Sequence, residues 1–187
     1  MTAVDCWCVR LDVSPGDLGS TLTGDERERC ARFRFARDRR RFVVAHGVLR
    51  RLLGRYLGVR PEGLRFERNE FGKPRLSPRF DRRLRFNLSH SADVALIAVA
   101  VDAEVGVDVE YIRALPDLAD DPRAFLGDWT RKEAYVKARG ESLARLSPTG
   151  DIVPDQRWSL YGLHPAPGYI GAVAIKGRCW RLSQLHW

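Results

Sequence analysis

The sequence predicts an α+β fold built from two similar halves, each a helix packed on a small, mostly antiparallel sheet. In each half, a segment with apolar residues at helical spacing is followed by segments typical of strands. Both sets of strands include a run of small apolar residues, at 94–100 and at 169–175. No low-complexity linker divides the 187 residues. The halves, 1–102 and 103–187, are therefore expected to pack as one compact unit with a shared site at their junction.

The first half is predicted to contain two helices and several strands. Thr23, with Glu26 three residues later, is an N-cap signal for a helix that ends near Arg32. Apolar residues at helical spacing predict a second, amphipathic helix over 38–57, which Gly58 ends. The segments typical of strands, up to and across the boundary between the halves, are 4–13, 64–68, 85–89, 94–101 and 105–110. Residues 69–74 are predicted to form a turn.

The second half is predicted to contain one helix followed by strands. Residues 113–127 include two prolines and are predicted to form a loop. A helix is predicted over 129–139, and Gly140 is suited to the left-handed conformation that follows a helix. The remaining segments typical of strands are 157–163, 169–175 and 178–185.

The hydropathy pattern argues against a membrane protein. The longest uninterrupted apolar run, from Val94 to Val101, has eight residues, whereas a membrane-spanning helix needs about 20. The first 13 residues include charged side chains and no apolar stretch of signal-peptide length. We therefore expect a cytoplasmic protein without a membrane anchor.

The chain is strongly basic and its arginines are clustered. The formal net charge is +8, and residues 27–60 contain twelve arginines against two acids. Such a positive field suits a polyanion, which leaves nucleic acid, a nucleotide cofactor and an acidic protein as candidate partners. The sequence lacks the usual helical, RRM-like and zinc-finger signatures of a nucleic-acid-binding domain, so that interpretation is the weaker alternative.

The four cysteines indicate neither a zinc site nor a disulfide framework. They form no C-x-x-C motif, and no pair of histidines stands at metal-binding spacing. We expect all four to be reduced thiols. They are Cys6, Cys8, Cys30 and Cys179.

The first candidate site motif is G-V-D-V-E at 106–110. On a strand, the valines would lie on one face while Asp108 and Glu110 share the other. Two neighbouring carboxylates need solvent or a counter-cation, and a hard divalent ion such as Mg²⁺ suits them. An exposed acidic strand face is the alternative, and the short motif alone favours it.

The second motif is the predicted helix W-T-R-K-E-A-Y-V-K at 129–137. Trp129, Glu133 and Lys137 share one helical stripe. Their spacing fits an ordinary surface ion pair, and it also fits a third metal-binding carboxylate with a phosphate-binding lysine.

The third motif, F-N-L-S-H-S at 86–91, places Ser89 and His90 at a strand end, where they could bind a phosphate or cap a turn. The sequence has neither a G-x-S-x-G elbow nor a P-loop, so Ser89 is not predicted to be a hydrolase nucleophile and Lys73 is not predicted to be a P-loop lysine.

Taken in order, these motifs resemble those of the 4′-phosphopantetheinyl transferases of the surfactin-synthetase type. The resemblance covers most of the chain and implies the two-halved fold of that family. The matching stretches are E-R-E-R-C-A-R-F-R-F-A-R-D at 26–38, F-G-K-P at 71–74, F-N-L-S-H-S at 86–91, G-V-D-V-E at 106–110, W-T-R-K-E-A-Y-V-K-A-R-G at 129–140 and P-G-Y-I-G-A-V-A at 167–174.

The resemblance implies a reaction at the junction of the two halves. The phosphopantetheine arm of coenzyme A would be transferred to a serine of an acyl-carrier or peptidyl-carrier protein, with Mg²⁺ bound and 3′,5′-ADP released. A monomer with no nucleic-acid partner is implied as well.

The roles that the resemblance implies fall on nine residues. Asp108, Glu110 and Glu133 would hold Mg²⁺, and Glu133 or a water that it orients would deprotonate the serine. Lys137 would bind the pyrophosphate, and Phe71 would lie near the adenine. The phosphates of coenzyme A, including the 3′-phosphate, would be held by Arg29, Lys73, Ser89 and His90.

One segment departs from the family pattern. Only eighteen residues, 111–128, separate the G-V-D-V-E motif from the W-T-R-K-E-A motif, whereas family members usually carry a longer segment that shapes the docking surface for the carrier. The sequence therefore also allows a relative that binds coenzyme A or a carrier without transferring the group.

Overall fold

The protein was described from a computed structural model, which covers residues 2–81, 83–113, 121–142, 155–178 and 180–187. This part of the chain contains three α-helices and nine strands and confirms the predicted α+β class. The helices are α1 (Gly24–Ala31), α2 (Ala36–Leu57) and α3 (Pro122–Arg139). Cys179 lies outside the described residues; Cys6, Cys8 and Cys30 are free thiols.

The first sheet has four strands in the order β4-β5-β1-β9. Both β4 and β1 pair antiparallel with β5, whereas β9, from the end of the chain, pairs parallel with β1. The second half thus adds a strand to the sheet of the first half, and the division at residues 102 and 103 stays a prediction. The four strands are β1 (Thr2–Arg10), β4 (Leu84–Ser91), β5 (Val94–Val101) and β9 (Trp180–His186).

The second sheet has three antiparallel strands in the order β6-β8-β7. A separate hairpin joins β2 to β3 at the position where only a turn and one strand were predicted. The strands are β6 (Val105–Tyr111), β7 (Trp158–Leu163) and β8 (Tyr169–Lys176), and those of the hairpin are β2 (Phe66–Arg68) and β3 (Pro74–Leu76).

The two sheets pack face to face over a shared apolar core, with one helix on each outer side. The valines of β6 alternate into this core against β1 and β5, as the period of two predicts. Helix α2 packs on the outer face of the first sheet through large residues such as Leu49, Leu52 and Leu53. Helix α3 packs on the outer face of the second sheet through small residues such as Ala134 and Ala138.

The helix ends follow the sequence signals with one exception. Thr23 and Glu26 form a reciprocal capping box at the start of α1, and Gly58 and Gly140 are left-handed after α2 and α3. The prediction of a loop over 113–127 is wrong from Pro122 onward, because α3 begins there.

The start of α3 has a simple physical cause. The Asp121 carboxylate accepts hydrogen bonds from the backbone N–H groups of Arg123 and Ala124, and Pro122 occupies the first turn, where no N–H donor is needed. The proline that suggested a break is a helix-start signal here. Within the described residues, no helix combines the length and the hydropathy that a bilayer-spanning segment requires.

Candidate active site

The two sheets meet along a row of polar side chains between β4 and β6, the terminal strands of their sheets. On β4, apolar residues that face α2 alternate with polar residues that face β6. The Val107 N–H donates to Asn87 Oδ1 at 2.9 Å, and the Ser89 hydroxyl donates to Asp108 Oδ1 at 2.7 Å. The F-N-L-S-H-S motif therefore joins two sheet edges through side-chain hydrogen bonds.

Gly106 allows α3 to approach β6 closely. A Cβ atom at this position would lie 2.2 Å from the carbonyl oxygen of Ala134 and 2.3 Å from the backbone nitrogen of Ala138. Asp108 follows two residues later on the same face of the strand. Its carboxylate therefore lies against α3, beside the acidic and basic residues that this helix presents one turn apart.

Lys137 bridges the buried Asp108 and the half-buried Glu133. Its ammonium donates to Asp108 Oδ1 at 2.5 Å and lies 2.9 Å from Glu133 Oε2. It also donates to the Ser89 hydroxyl oxygen at 3.1 Å. The ion pair that the spacing of Glu133 and Lys137 predicts is thus present, but it is largely buried and does not lie on the surface. Lys137 also connects it to Asp108 on β6 and to Ser89 on β4.

Burial dominates the electrostatics of this group. Asp108 is 1% exposed, and its burial raises the pKa of its carboxyl. The nearby Lys137 ammonium opposes this effect, and the resulting pKa is about 7. Burial lowers the pKa of Lys137, but the Asp108 and Glu133 carboxylates outweigh that effect, and its pKa lies above the usual value. The ammonium therefore stays charged and offsets part of the negative charge of the two acids.

One oxygen of Asp108 is suited to a further cation. Its Oδ2 atom is buried and accepts no hydrogen bond from the described residues, which is an unfavourable state for a carboxylate oxygen. Carboxylate oxygens are the ligands that Mg²⁺ prefers, so the chemistry of Asp108 and Glu133 fits that ion.

The third predicted metal ligand, Glu110, lies next along β6. Its Oε2 atom accepts a hydrogen bond from the Ser91 hydroxyl at 2.8 Å. Among the described residues, no three Asp, Glu, His or Cys side chains are close enough together to hold a metal ion. Magnesium binding by all three acids therefore stays a prediction.

A cavity of about 930 Å³ opens beside this group and is bounded by α1, α2, β2 and β4. Ser89, His90 and Lys137 line it at the junction with α3. The arginines of its wall carry the positive charge that phosphate groups require. They are Arg27, Arg29, Arg50, Arg65 and Arg68.

The outer wall of this cavity is built on stacked rings. Arg29 places its guanidinium 5.5 Å from the centroid of the Phe42 ring, and His46 stacks on the same ring at 3.8 Å. Burial lowers the pKa of His46 to about 4, so its imidazole is neutral at physiological pH. Arg29 and His90 are exposed and remain available to a ligand.

A buried ion pair forms the inner wall, and the sequence patterns did not reveal it. Arg50 donates to Glu26 Oε2 at 2.7 Å and to the carbonyl oxygens of Pro61 and Leu64, and its guanidinium lies over the Phe66 ring. Glu26 also accepts from the backbone N–H of Thr23. One acid thus joins the start of α1 to α2, but Arg50 was one of many arginines and its burial had no sequence signal.

Lys73 lies on the far side of the β2–β3 hairpin from most of the predicted site. Its ammonium contacts Glu104 and donates to the carbonyl oxygens of Val105 and Ala138, the latter at 2.8 Å. It lines a second cavity, of about 550 Å³, and not the cavity that Ser89 and His90 line. Its predicted contact with phosphate stays a prediction, and its observed contacts tie the hairpin to the end of α3.

The turn around Lys73 is organised by Asn69, which sequence analysis also missed. The Asn69 amide donates to the carbonyl oxygen of Gly140 at 2.7 Å, and its Oδ1 atom accepts from the backbone N–H groups of Phe71 and Lys73. The N-x-x-G sequence of the turn was the available signal. Phe71 is exposed on this turn and lines neither cavity.

Comparison with known proteins identifies the family. The family model described as "4′-phosphopantetheinyl transferase, N-terminal" matches residues 17–102. The chain is 36% identical to the 4′-phosphopantetheinyl transferase HetI of Nostoc sp., over 98% of this chain and 92% of that protein. It is 32% identical to the 4′-phosphopantetheinyl transferase psf-1 of Bacillus pumilus, over 76% of this chain and 74% of that protein.

A putative 4′-phosphopantetheinyl transferase of Synechocystis sp., slr0495, is 29% identical over 87% of this chain and 71% of its own length. The chain belongs to the 4′-phosphopantetheinyl transferase family and is a transferase. The alignment with HetI spans 218 positions, more than the 187 residues of this chain, so that relative carries additional residues within the aligned range.

Proposed function

We propose that the protein transfers the 4′-phosphopantetheine group of coenzyme A to a serine hydroxyl of an acyl-carrier or peptidyl-carrier protein and releases 3′,5′-ADP. Family membership supports the reaction class. The observation that carries the proposal is the buried group formed by Asp108, Lys137 and Glu133 at the edge of a basic cavity.

Phosphoryl transfer depends on charge neutralisation and on in-line positioning of the reacting groups. In this proposal the serine oxygen attacks the phosphorus that carries the pantetheine arm. A new P–O bond forms, and the bond to the bridging pyrophosphate oxygen breaks. The serine proton passes to Glu133 or to a water that Glu133 orients, and the bridging oxygen leaves as part of 3′,5′-ADP.

Asp108, Glu110 and Glu133 would hold Mg²⁺, with the unpartnered Asp108 Oδ2 as the best-prepared ligand. When bound, Mg²⁺ would neutralise pyrophosphate charge and lower the pKa of bound water. Lys137 contacts Asp108, Glu133 and Ser89 at once and would turn its ammonium to the pyrophosphate when that group enters.

The remaining wall would hold the nucleotide end of coenzyme A. Arg29, Ser89 and His90 line the cavity and would contact its phosphates, including the 3′-phosphate. Phe71 would reach the adenine from the hairpin turn. Lys73 would act mainly by fixing that turn to α3, because protein oxygens already surround its ammonium.

Intact-mass measurement of a carrier protein tests the proposal directly. The purified protein is incubated with coenzyme A, Mg²⁺ and an apo-carrier, and the carrier should gain the mass of one phosphopantetheine group. A carrier with alanine in place of the acceptor serine is the control. No mass gain with apo forms of fatty-acid, polyketide and peptide carriers, with the folded enzyme confirmed by circular dichroism, would refute the transfer.

The short 111–128 segment supports a second candidate, a relative that binds coenzyme A or a carrier without transfer. This candidate predicts saturable binding of coenzyme A in calorimetry with no change in carrier mass. Repeated turnover in the mass assay would exclude it. For the active enzyme, we also propose a monomer that works in the cytoplasm and has no nucleic-acid partner.

A further inference from the structure

The connection between α1 and α2, together with Arg29 at the end of α1, presents an exposed surface that extends outward from the cavity wall. We call it the basic patch and define it by Arg29, Arg32, Phe33, Arg34 and Phe35. Phe33 is 39% exposed and Phe35 is 57% exposed. Two exposed aromatic rings in one short connection, surrounded by arginines, are typical of a protein-binding surface.

Among the described residues, the arginines of the basic patch have no acidic partner, whereas several nearby arginines do. Arg40 and Arg41 pair with Asp12, and Arg51 pairs with Asp17. Within the described ranges, no carboxylate pairs with any of the three arginines of the patch. Their positive charge is therefore uncompensated, and it would attract an acidic surface.

The local structure holds the patch in place. The Arg34 guanidinium lies 5.4 Å from the centroid of the Phe35 ring. Arg39 donates to the carbonyl oxygens of Phe33 and Arg34 and fixes the backbone between the helices. A preorganised surface of this kind loses little conformational entropy when a partner binds.

The basic patch adjoins the mouth of the large cavity. Phe33 packs on Phe42 with ring centroids 5.5 Å apart, and Phe42 in turn stacks on His46, which lines the cavity. Arg29 belongs to both the patch and the cavity wall. A macromolecule that binds over this side of the cavity mouth would therefore contact the patch.

We propose that the basic patch docks the acceptor protein, through an acidic surface that presents an apolar side chain near the acceptor serine. The inference rests on the proposed function, which requires a protein acceptor at this cavity. The patch lies in the first half of the chain, so it would supply contacts independently of the short 111–128 segment. Single-stranded nucleic acid would also suit exposed rings and arginines, but it offers no serine to the cavity.

The test compares one charge variant and one ring variant of the basic patch with a matched control variant for each on the second sheet. Arg34→Glu and Phe35→Ser alter the patch, whereas Lys176→Glu and Tyr161→Ser alter exposed residues of β8 and β7. The probe is an apo-acyl-carrier protein of fatty-acid synthesis. We expect Arg34→Glu to raise the KM for this probe at least tenfold and Phe35→Ser to raise it several-fold, with kcat and the KM for coenzyme A within twofold of the wild type.

Salt provides an independent readout. Raising the ionic strength from about 0.05 to about 0.3 M should raise the carrier KM of the wild type and have much less effect on Arg34→Glu. A carrier KM that stays within twofold of the wild type in both patch variants overturns the proposal. So does a single-stranded oligonucleotide that binds the patch at physiological salt and displaces the carrier.

Direct binding separates this proposal from the proposed function. Fluorescence anisotropy with a labelled apo-carrier measures docking even when no group is transferred, and Arg32→Glu serves as a further patch variant. Loss of binding in the patch variants alone supports the docking surface, even if the mass assay shows no transfer. Normal transfer with unchanged binding in all three patch variants refutes the docking surface and leaves the proposed function standing.

Discussion

Helices α2 and α3 cover opposite outer faces of the molecule, but they contact their sheets in different ways. Helix α2 packs through large residues, including Leu49, Leu52 and Leu53. Helix α3 packs through Ala134 and Ala138 against a second row of small residues. Large side chains hold a helix away from a sheet, whereas small ones let the backbones approach. The comparison indicates that α2 mainly stabilises the fold and that α3 positions chemical groups.

The close approach of α3 has a direct functional consequence. Only a helix this near to β6 can bring Lys137 within 2.5 Å of Asp108 while keeping Glu133 in the same group. On α2, Arg50 is fully buried. It pairs with Glu26 and forms part of the wall of the large cavity. Changes at the two helices should therefore affect stability and activity in different proportions.

The largest effect is expected from Gly106→Val. Its side chain would occupy space held by the backbone of α3, so the helix would have to shift away from β6 and lose its packing on the second sheet. We expect about 4 kcal/mol or more of destabilisation, together with loss of transfer. Chemical denaturation measures the first and the mass assay the second. Gly24→Ala, at an open position in α1, is the control and should change stability by less than about 1 kcal/mol.

Glu133→Gln tests the chemical role of α3 without changing its shape. Removing the carboxylate charge should lower kcat by about 10²- to 10⁴-fold, because a base or metal ligand is lost while the packing is retained. Stopped assays with the apo-carrier measure the rate. Asp128→Asn, an exposed acid on the same helix, should retain the wild-type rate. A Glu133→Gln enzyme that works at full rate would remove this residue from the mechanism.

Leu52→Ala should reduce stability and leave the rate largely unchanged, which is the opposite of the effect expected for Glu133→Gln. Leu52 is a fully buried residue of α2, so its truncation should cost about 2–5 kcal/mol of unfolding free energy. Denaturant titration measures this loss. Below the unfolding transition, kcat should stay within a few-fold of the wild type. A large fall in kcat in the folded variant would show that α2 also positions chemical groups.

Acidification should weaken α2 through His46. Burial holds its pKa near 4 in the folded protein, against 6.5 for the free side chain. Below pH 6.5 the unfolded chain therefore binds a proton that the folded protein does not, and stability falls until the pH reaches about 4. The loss should reach at most about 3 kcal/mol. Denaturation of wild type and His46→Leu between pH 7 and pH 4 compares the two, and parallel pH profiles would contradict the prediction.

The smallest effect is expected from Lys73→Met at the end of α3. Losing the ammonium leaves the carbonyl oxygen of Ala138 without this donor, which should cost about 1–3 kcal/mol. Calorimetry should show an unchanged Kd for coenzyme A, since the side chain acts on the helix. A large rise in that Kd, without loss of stability, would instead assign Lys73 to the phosphates.

Much of the site could be predicted from local sequence patterns. The alternation of Val107 and Asp108 on β6 and the spacing of Glu133 and Lys137 on α3 follow from the periods of a strand and a helix. The start of α3 at Pro122 was missed because a proline allows either a break or a first turn. Only the Asp121 side chain decides between them, through its hydrogen bonds to the backbone.

The placement of Lys73 shows the limit of reasoning from motifs. Its turn was predicted, but the direction of its side chain depends on the end of a helix more than sixty residues later in the chain. The Glu26–Arg50 pair could not be predicted either, since no spacing rule connects α1 to the middle of α2. Such contacts depend on how elements pack, and a local pattern carries no information about them.

The sequence by itself determined the α+β class, the helix caps at Thr23 and Gly140, the faces of the strands and the motifs that indicate the family. These features depend on residues a few positions apart, where periodicity and backbone preference act. Only the tertiary structure decided that Lys137 bridges Asp108 and Glu133, that Asp108 Oδ2 lacks a partner and that Lys73 caps α3. Burial and close approach create these states, and both arise only when distant segments pack together.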